Sequence, residues 1–254
     1  MMLWADSLFW RYGAAGVLSV SPECERQVRE LAGRLEVPAV QYRALYKADQ
    51  WQGIADPSTL PRVPFIVVFA GRVERDKGVF DILHIAETVE KRVPGKVIFR
   101  VCGNGAALSG FRETVTSKGL DAIVQITGPL RRPDLLNEYA RCHLVIVPTR
   151  STFCEGMPRS CAEAILSGRP VLTTKLSNAS DVMPGAIIEA VPDNPKSYAQ
   201  CIIDLLHEPE SYARACAATT RYRAQFLDEK HGLLAALDTI FTNVCRGPIS
   251  VKQE

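Results

Sequence analysis

Two glutamates in the middle of the chain, Glu155 and Glu163, carry side chains that are suited to holding hydroxyl groups. Glu155 stands in a loop with Gly and Pro after the apolar run at 144–148, and Glu163 follows in a short helical pattern that ends at Gly168. A carboxylate accepts two hydrogen bonds from adjacent hydroxyls, and such charge-assisted bonds are the stronger kind. The pair therefore predicts a site for the hydroxyls of a sugar or a ribose. The alternative is that both are ordinary acids, one in an exposed loop and one on an exposed helix face.

A second group of residues, directly after the apolar run at 65–70, is suited to binding phosphate. Gly71 would let the backbone approach a ligand, and the cations Arg72 and Lys77 could neutralise phosphate oxygens near a helix N-terminus. A solvated charged turn is the alternative for this segment. Glycine turns also follow the next two apolar runs, at Gly103, Gly105 and Gly128.

From residue 64 onward, apolar runs of strand length alternate with amphipathic helical stretches. The stretch at 79–92 has helical spacing, with Val79, Ile82 and Val89 on one face. The predicted strands are 65–70, 96–102, 123–127, 143–147, 169–173 and 186–191. Strands that alternate with helices predict an α/β fold with a parallel sheet covered on both faces, and ligands of such sheets bind outside the carboxyl ends of the strands.

The first sixty residues follow a different pattern. A short buried strand is predicted at 14–20, and a helix that Ser21 caps is predicted to extend to about Leu35. The following stretch has no clear periodicity and is interpreted as a linker. Three further helices are predicted near the other end, at 195–206, 210–225 and 230–244, before a tail, 247–254, that we expect to be frayed. The predicted segments are therefore 1–63, 64–225 and 226–254.

The composition argues against several classes of function. A formal net charge of +2 without a basic block predicts no nucleic-acid partner. No apolar run approaches the roughly 20 residues that span a bilayer, and the first twelve residues make a poor signal peptide. We therefore expect a cytoplasmic protein, with a peripheral position at the inner face of the membrane as the alternative. The eight cysteines form no C-x-x-C pair, which argues against a metal site or a disulfide framework.

Taken together, these motifs resemble the nucleotide-sugar-binding C-terminal domain of the retaining glycosyltransferases of family four, which have the GT-B architecture. The matching residues are Gly71-Arg72 with Lys77-Gly78, then Gly103 and Gly105, then Gly128 with Leu136 and Tyr139, then Glu155-Gly156 through Glu163, and finally Gly168-Arg169-Pro170-Val171. The resemblance extends over about residues 64–225. It implies a Rossmann-like parallel sheet flanked by helices, the C-terminal half of a GT-B glycosyltransferase.

The resemblance also implies roles for single residues. In that family, the residues that match Arg72 and Lys77 hold the donor diphosphate and stabilise the leaving group. The residue that matches Glu155 holds hydroxyls of the transferred sugar, and the one that matches Glu163 holds the ribose. We therefore expect Arg72, Lys77 and Glu155 to be catalytic. The expected donor-binding residues are Gly71, Arg72, Lys77, Gly103, Gly105, Gly128, Glu155, Gly156, Met157, Pro158, Arg159 and Glu163.

Three further expectations concern the chemistry of the donor. Pro158 stands where the family often has Gly, and it removes one backbone donor at that position. The implied substrate is a nucleoside-diphosphate sugar. Neither a cofactor nor an obligatory metal is expected, because cations and helix dipoles take the place of the metal.

The main departure from the family concerns its N-terminal domain, which binds the acceptor. Residues 5–35 resemble only the last helix and strand of that domain and the helix that leads out of it. The acceptor therefore stays unknown, and the missing part is expected either to be lost or to reside on a separate acceptor-binding chain. We expect a donor-binding half that transfers sugar with retention and is inactive by itself. The alternatives are a non-catalytic nucleotide-sugar-binding module or subunit, and an α/β domain unrelated to sugars.

Overall fold

The computed structural model describes residues 2–33 and 36–246. These residues form two compact units. The smaller unit contains the described residues up to Tyr46 and those from Ala224 onward, and the larger unit is Lys47–Arg223. Among the described helices, none combines the length and the apolar character that a membrane span requires.

The smaller unit is built around two short parallel strands. Its main elements are α1 (Met2–Leu8), a π-helical turn (Phe9–Gly13), β1 (Val17–Ser19), α2 (Pro22–Ala32), β2 (Ala39–Gln41) and α10 (Leu233–Arg246), which is the last helix among the described residues. Strand β1 pairs with β2 in parallel, with Val17 opposite Ala39. The side chain of Ser21 accepts a hydrogen bond from the backbone N–H of Cys24, which confirms the predicted cap of α2. The predicted end of this helix at Leu35 lies outside the described residues, as does the tail 247–254.

The larger unit contains a six-stranded parallel sheet. Its strands are β3 (Phe65–Ala70), β4 (Val97–Cys102), β5 (Val124–Gly128), β6 (Leu144–Ile146), β7 (Val171–Thr173) and β8 (Ile187–Glu189). Its helices are α3 (Val79–Arg92), α4 (Leu108–Ser117), α5 (Arg132–Arg141), α6 (Arg159–Leu166), α7 (Ala179–Val182), α8 (Pro195–His207) and α9 (Pro209–Thr219). The α/β fold and all six predicted strands are confirmed, although the last three strands are shorter than predicted.

The order of the strands across this sheet is β5-β4-β3-β6-β7-β8. The chain therefore builds outward from β3 in one direction and then returns to build outward from β6 in the other. Strands β3 and β6 are neighbours, with Val67 opposite Leu144. Their carboxyl ends form the point where the direction of strand addition reverses, and this is where ligands bind in open parallel sheets.

Apolar residues of β3 and β4 pack against helices on one face of the sheet. The predicted apolar face of α3 is confirmed, since Val79, Ile82 and Val89 are all buried. They join one continuous core with Phe65 and Phe99 of the central strands. Burial of a side chain of this size stabilises the fold by about 1.5–3 kcal/mol, so this core fixes the strand ends that carry the predicted site.

The segment before β3 belongs to the larger unit, so the unit begins at Lys47 rather than at residue 64. A fully buried arginine explains this difference. Arg169 donates hydrogen bonds from its guanidinium to the carbonyl oxygens of Ala55 (2.8 Å), Ala140 (2.7 Å) and Cys142 (3.1 Å). Trp51 is also buried. The stretch that had no periodicity is therefore held by long-range contacts, which periodicity cannot reveal.

Two predicted helices near the end of the chain have different bounds in the structure. The helix predicted at 210–225 ends at Thr219 and continues as short 3-10 turns. The helix predicted at 230–244 begins at Leu233, because Gly232 adopts an extended conformation after a 3-10 turn. A side chain at Gly232 would also meet the side chain of Leu45 at 2.5 Å. Both differences are local and leave the sheet unchanged.

Candidate functional site

The loops after β3 and β6 meet at the carboxyl edge of the sheet. Gly78 ends the first loop in a left-handed conformation, with φ of 71°, and an added Cβ there would lie 1.9 Å from the carbonyl oxygen of Pro148 in the second loop. Only glycine fits such a contact. This close approach brings Lys77, which precedes Gly78, beside the loop that carries Glu155.

A cavity of about 340 Å³ opens between these two loops and the start of α6. Seven of the predicted donor-binding residues line it: Gly71, Arg72, Lys77, Glu155, Met157, Pro158 and Arg159. The same lining contains residues that the sequence did not single out, namely Phe69, Ala70, Val147, Thr149 and Ser160. The cavity therefore combines three cations, one carboxylate and the N-terminus of a helix, which is an arrangement suited to an anionic ligand with hydroxyl groups.

Glu155 forms an ion pair with Lys77. The Lys77 Nζ atom donates to Glu155 Oε1, and only 16% and 9% of the two side chains are exposed. Thr149 Oγ1 donates to the same carboxylate oxygen at 2.9 Å. The pair is therefore shielded from solvent, so its interaction is stronger than that of an exposed salt bridge.

The backbone around Glu155 is fixed by Asn178. This residue is buried in a left-handed conformation, with φ of 56°, and its Nδ2 atom donates to the carbonyl oxygens of Glu155 (2.6 Å) and Gly156 (3.0 Å). Asn tolerates this backbone conformation better than most residues. Sequence reasoning missed Asn178, since it follows Glu155 by 23 positions and belongs to no helix or strand pattern.

Phe153 lies against both predicted phosphate-binding cations. The Lys77 Nζ atom is 3.9 Å from the centre of the Phe153 ring, and the Arg72 guanidinium carbon is 5.8 Å from it. Each distance is within the range of a cation–π interaction. The sequence analysis did not predict Phe153 as a site residue. Its position two residues before Glu155 is the sequence feature that could have indicated it.

Glu163 lies one helical turn beyond Arg159 and is not part of the cavity lining. Arg132 Nη1 donates to its Oε1 atom at 2.6 Å, and the Tyr139 hydroxyl donates to its Oε2 atom at 2.9 Å. The Arg132 guanidinium also lies 4.9 Å from the centre of the Trp51 ring. Both oxygens of this carboxylate therefore accept a hydrogen bond, one from a charged donor and one from a hydroxyl. Arg132 was not among the predicted site residues.

Four glycines of the predicted site, Gly103, Gly105, Gly128 and Gly156, lie outside the cavity lining, and the first three bring neighbouring loops into close contact. A Cβ at Gly103 would lie 1.8 Å from the carbonyl oxygen of Gly71, and one at Gly105 would lie 2.3 Å from that of Val73. The N–H of Gly103 donates to the carbonyl of Gly128 at 2.9 Å. The structure thus gives these three glycines a packing role beside the cavity. Gly71 differs, because a Cβ there would meet only the Phe69 ring, at an ordinary 3.5 Å.

Comparisons with known proteins agree with this architecture. Two curated relatives are 26% identical to the chain. One is D-inositol 3-phosphate glycosyltransferase 1 of Catenulispora acidiphila, aligned over 87% of this chain and 51% of its own length. The other is D-inositol 3-phosphate glycosyltransferase of Arthrobacter sp. (strain FB24), aligned over 48% of this chain and 29% of its own length. The chain thus spans about half the length of the first relative, or less in the case of the second.

Solved structures share the fold at low sequence identity. The sucrose-phosphate synthase of Thermosynechococcus elongatus superposes with a TM-score of 0.76 at 20% identity, over 94% of this chain and 61% of that one. The pneumococcal O-GlcNAc transferase GtfA in complex with UDP and GlcNAc gives 0.73 at 19% identity, over 95% and 48%. Anabaena HepE in complex with UDP and glucose gives 0.72 at 20% identity, over 94% and 64%.

The family itself is shown by a match of the sequence to a family model. The model described as glycosyl transferases group 1 matches residues 54–221, which is well over half of the chain. This range includes every residue of the cavity and the whole six-stranded sheet. The chain belongs to the group 1 glycosyl transferases, the GT-B glycosyltransferase family that its motifs indicated.

Proposed function

We propose that this chain is the donor-binding half of a glycosyltransferase that takes a sugar from a nucleoside-diphosphate sugar and transfers it with retention of configuration. The observation that carries the proposal is the cavity at the reversal point of the sheet, where Arg72, Lys77 and Arg159 stand beside Glu155. Structural neighbours in complex with UDP, and one with UDP-glucose, support a nucleotide-sugar donor.

The diphosphate of the donor binds to Arg72, Lys77 and the N-terminus of α6. When the bond between the anomeric carbon and the diphosphate oxygen breaks, the electron pair stays on that oxygen as negative charge. Preorganised cations around a developing charge lower the barrier to the reaction. These cations are expected to do so without a metal ion or a cofactor.

The two carboxylates hold hydroxyl groups at opposite ends of the donor. Glu155 binds hydroxyls of the sugar, since it lines the cavity beside Lys77. Glu163 binds the ribose one helical turn away, where Arg132 and Tyr139 fix the orientation of its carboxylate. The fixed carboxylate loses little entropy when a ligand binds.

The acceptor binds outside residues 47–223, and turnover needs an acceptor-binding part on another chain or segment. The smaller unit supports this part of the proposal, because its described residues form a parallel sheet of two strands and parallel sheets are normally buried within larger ones. This observation favours the assignment of residues 2–33 and 36–46 to a small piece of an acceptor-binding domain, which is part of the proposal. A cytoplasmic location, with peripheral membrane attachment as the alternative, stays a prediction.

A thermal-shift panel tests the donor site. UDP, GDP, ADP and their glucose conjugates are each added to the wild-type chain and to the Glu163→Ala variant. A ligand at one hundred times its dissociation constant adds about 2.7 kcal/mol to the stability of the folded state, which raises Tm by roughly 5–10 °C. A rise with one base that is clearly smaller in the variant supports the proposal. Equal curves with every nucleotide would contradict it.

A further inference from the structure

Lys77 and Glu155, the two side chains that are proposed to bind the phosphates and the sugar of the donor, form an ion pair with each other. Lys77 donates to Glu155, and both side chains are largely buried. A phosphate oxygen and the Glu155 carboxylate therefore compete for one ammonium group. A ligand that binds Lys77 must therefore supply Glu155 with another hydrogen-bond donor. Otherwise the buried carboxylate loses a donor, which costs free energy.

The carboxylate of Glu155 has few other donors close by. Within residues 2–33 and 36–246, the side chains that donate to it are those of Lys77 and Thr149. Thr149 supplies a single hydroxyl, at 2.9 Å. When Lys77 binds a phosphate instead, Glu155 therefore keeps Thr149 as its one side-chain donor. Water cannot easily replace the lost donor, because Glu155 is only 8% exposed.

The surroundings determine which partner moves. Asn178 holds the backbone of Glu155 through two hydrogen bonds, at 2.6 and 3.0 Å. Lys77 instead lies on a long flexible stem, with its ammonium over the Phe153 ring at 3.9 Å. An aromatic face attracts a cation in many lateral positions. Lys77 can thus move toward a ligand over the ring while Glu155 stays in place.

We infer that exchange of Lys77 between Glu155 and the diphosphate makes the site select the nucleoside-diphosphate sugar over the nucleoside diphosphate. In the intact donor, the phosphates bind Lys77 and the sugar hydroxyls donate hydrogen bonds to Glu155, so both side chains remain paired. The nucleoside diphosphate that is left after transfer binds Lys77 but has no sugar hydroxyls to donate to Glu155. Re-formation of the Lys77–Glu155 ion pair then favours release of this product. This inference rests on the proposed function and adds discrimination between substrate and product at the same site.

Isothermal titration calorimetry tests the inference, which predicts that removal of the Glu155 charge tightens the binding of the nucleoside diphosphate. UDP and UDP-glucose are titrated into the wild type, Glu155→Gln and Thr149→Val, with the GDP and ADP pairs in parallel. Glu155→Gln removes the charge that competes for Lys77, so the nucleoside diphosphate should bind about tenfold more tightly, the effect of one charge-assisted hydrogen bond. The same variant should bind the sugar conjugate more weakly than the wild type does.

Thr149→Val supplies a test in the opposite direction. It deprives Glu155 of its second donor, so the nucleoside diphosphate should bind more weakly than to the wild type. Glu210→Gln, at a side chain that is 94% exposed on α9, is the matched control and should change neither affinity.

The outcomes separate the two proposals. If the wild type binds a nucleotide but Glu155→Gln leaves the affinity for the nucleoside diphosphate equal or lower, the exchange is wrong and the donor site stands. If Glu155→Gln does not fold, an unchanged or higher affinity of Thr149→Val for the nucleoside diphosphate overturns the exchange in the same way. If no nucleotide binds the wild type, the proposed function fails, and the inference fails with it.

Discussion

Gly78 and Pro148 hold the two site-bearing loops in direct backbone contact. The space for a Cβ at Gly78 is already filled, since the Pro148 carbonyl oxygen lies 1.9 Å from where that atom would be. The contact joins the loop after β3 to the loop after β6. Strands β3 and β6 are neighbours at the point of the sheet where the direction of strand addition reverses. The distance between Lys77 and Glu155 therefore depends on the backbone contact at Gly78, the residue after Lys77.

Gly78→Ala should separate these loops and lower the free energy of unfolding. Gly119→Ala is a matched control, because Gly119 has a similar φ of 65° and open space around its Cβ position. The control should cost about 1–2 kcal/mol for the left-handed conformation alone. Gly78→Ala should cost a further 1–3 kcal/mol or so for the steric conflict. Urea unfolding measures both, and equal losses would show that the close contact is not present in solution.

Gly71 and Gly103 should respond in opposite ways to the same change. Gly103→Ala should destabilise the fold, because its Cβ would lie 1.8 Å from the Gly71 carbonyl oxygen. Gly71→Ala should leave the unfolding free energy within about 1 kcal/mol of wild type, since its nearest neighbour is at 3.5 Å. It should nevertheless weaken nucleotide binding, because Gly71 lines the cavity that the nucleotide is proposed to occupy. If a stable Gly71→Ala variant bound the nucleotide with wild-type affinity, Gly71 would not be part of the donor site.

Lys77→Ala and Glu163→Ala should each weaken binding of a nucleoside diphosphate by about 1–3 kcal/mol, as expected for lost charge-assisted hydrogen bonds. The two residues act at opposite ends of the ligand, one on phosphate and one on ribose. Calorimetric titration measures the losses, with Glu210→Ala as the exposed control. Unchanged affinity in both variants would overturn the assignment of the site.

His143 should make the stability of the fold depend on pH. Its Nδ1 atom accepts from the Ile66 N–H at 2.9 Å, so its Nε2–H donates to the Pro61 carbonyl oxygen at 3.1 Å. Burial lowers the pKa of His143 to about 4 from an ordinary 6.5. Below pH 6.5 the unfolded chain binds a proton that the folded chain does not. The unfolding free energy should therefore fall as the pH decreases from 6.5 to 4, by at most about 1.4 kcal/mol per pH unit.

The measurement for His143 is the pH dependence of urea unfolding in wild type and His143→Gln. The variant should lose the part of the pH dependence that begins below pH 6.5. His207→Gln, at an exposed histidine that ends α8, should keep it. Identical slopes in wild type and His143→Gln would contradict the buried neutral imidazole.

The fold was largely predictable from the sequence because its signals are local. The run Phe65–Ala70 forms a strand with the predicted bounds, and the apolar spacing of α3 gives its buried face directly. The parts that were missed depend on contacts between distant residues. Strand β2 has three residues, all only partly buried, so neither length nor alternation indicates it.

The candidate site was predictable to the extent that its residues follow strand ends. Gly71, Arg72, Lys77 and Glu155 were found in this way, and the cavity contains them all. Their partners were not found, because Arg132 precedes Glu163 by 31 positions on another helix, and Asn178 follows a different strand. No spacing rule connects residues whose proximity arises from the order of strands in the sheet.

The most direct test of the central claim is a crystal structure of the chain with the nucleoside diphosphate that stabilises it most. The predicted result places the diphosphate at the carboxyl edge of β3 and β6, within hydrogen-bond distance of Lys77 Nζ and the Arg72 guanidinium. A second cavity of about 340 Å³ near Asp56 and Thr220 offers a clear alternative location. A nucleotide bound there, or anywhere away from Lys77, would contradict the assignment of the donor site.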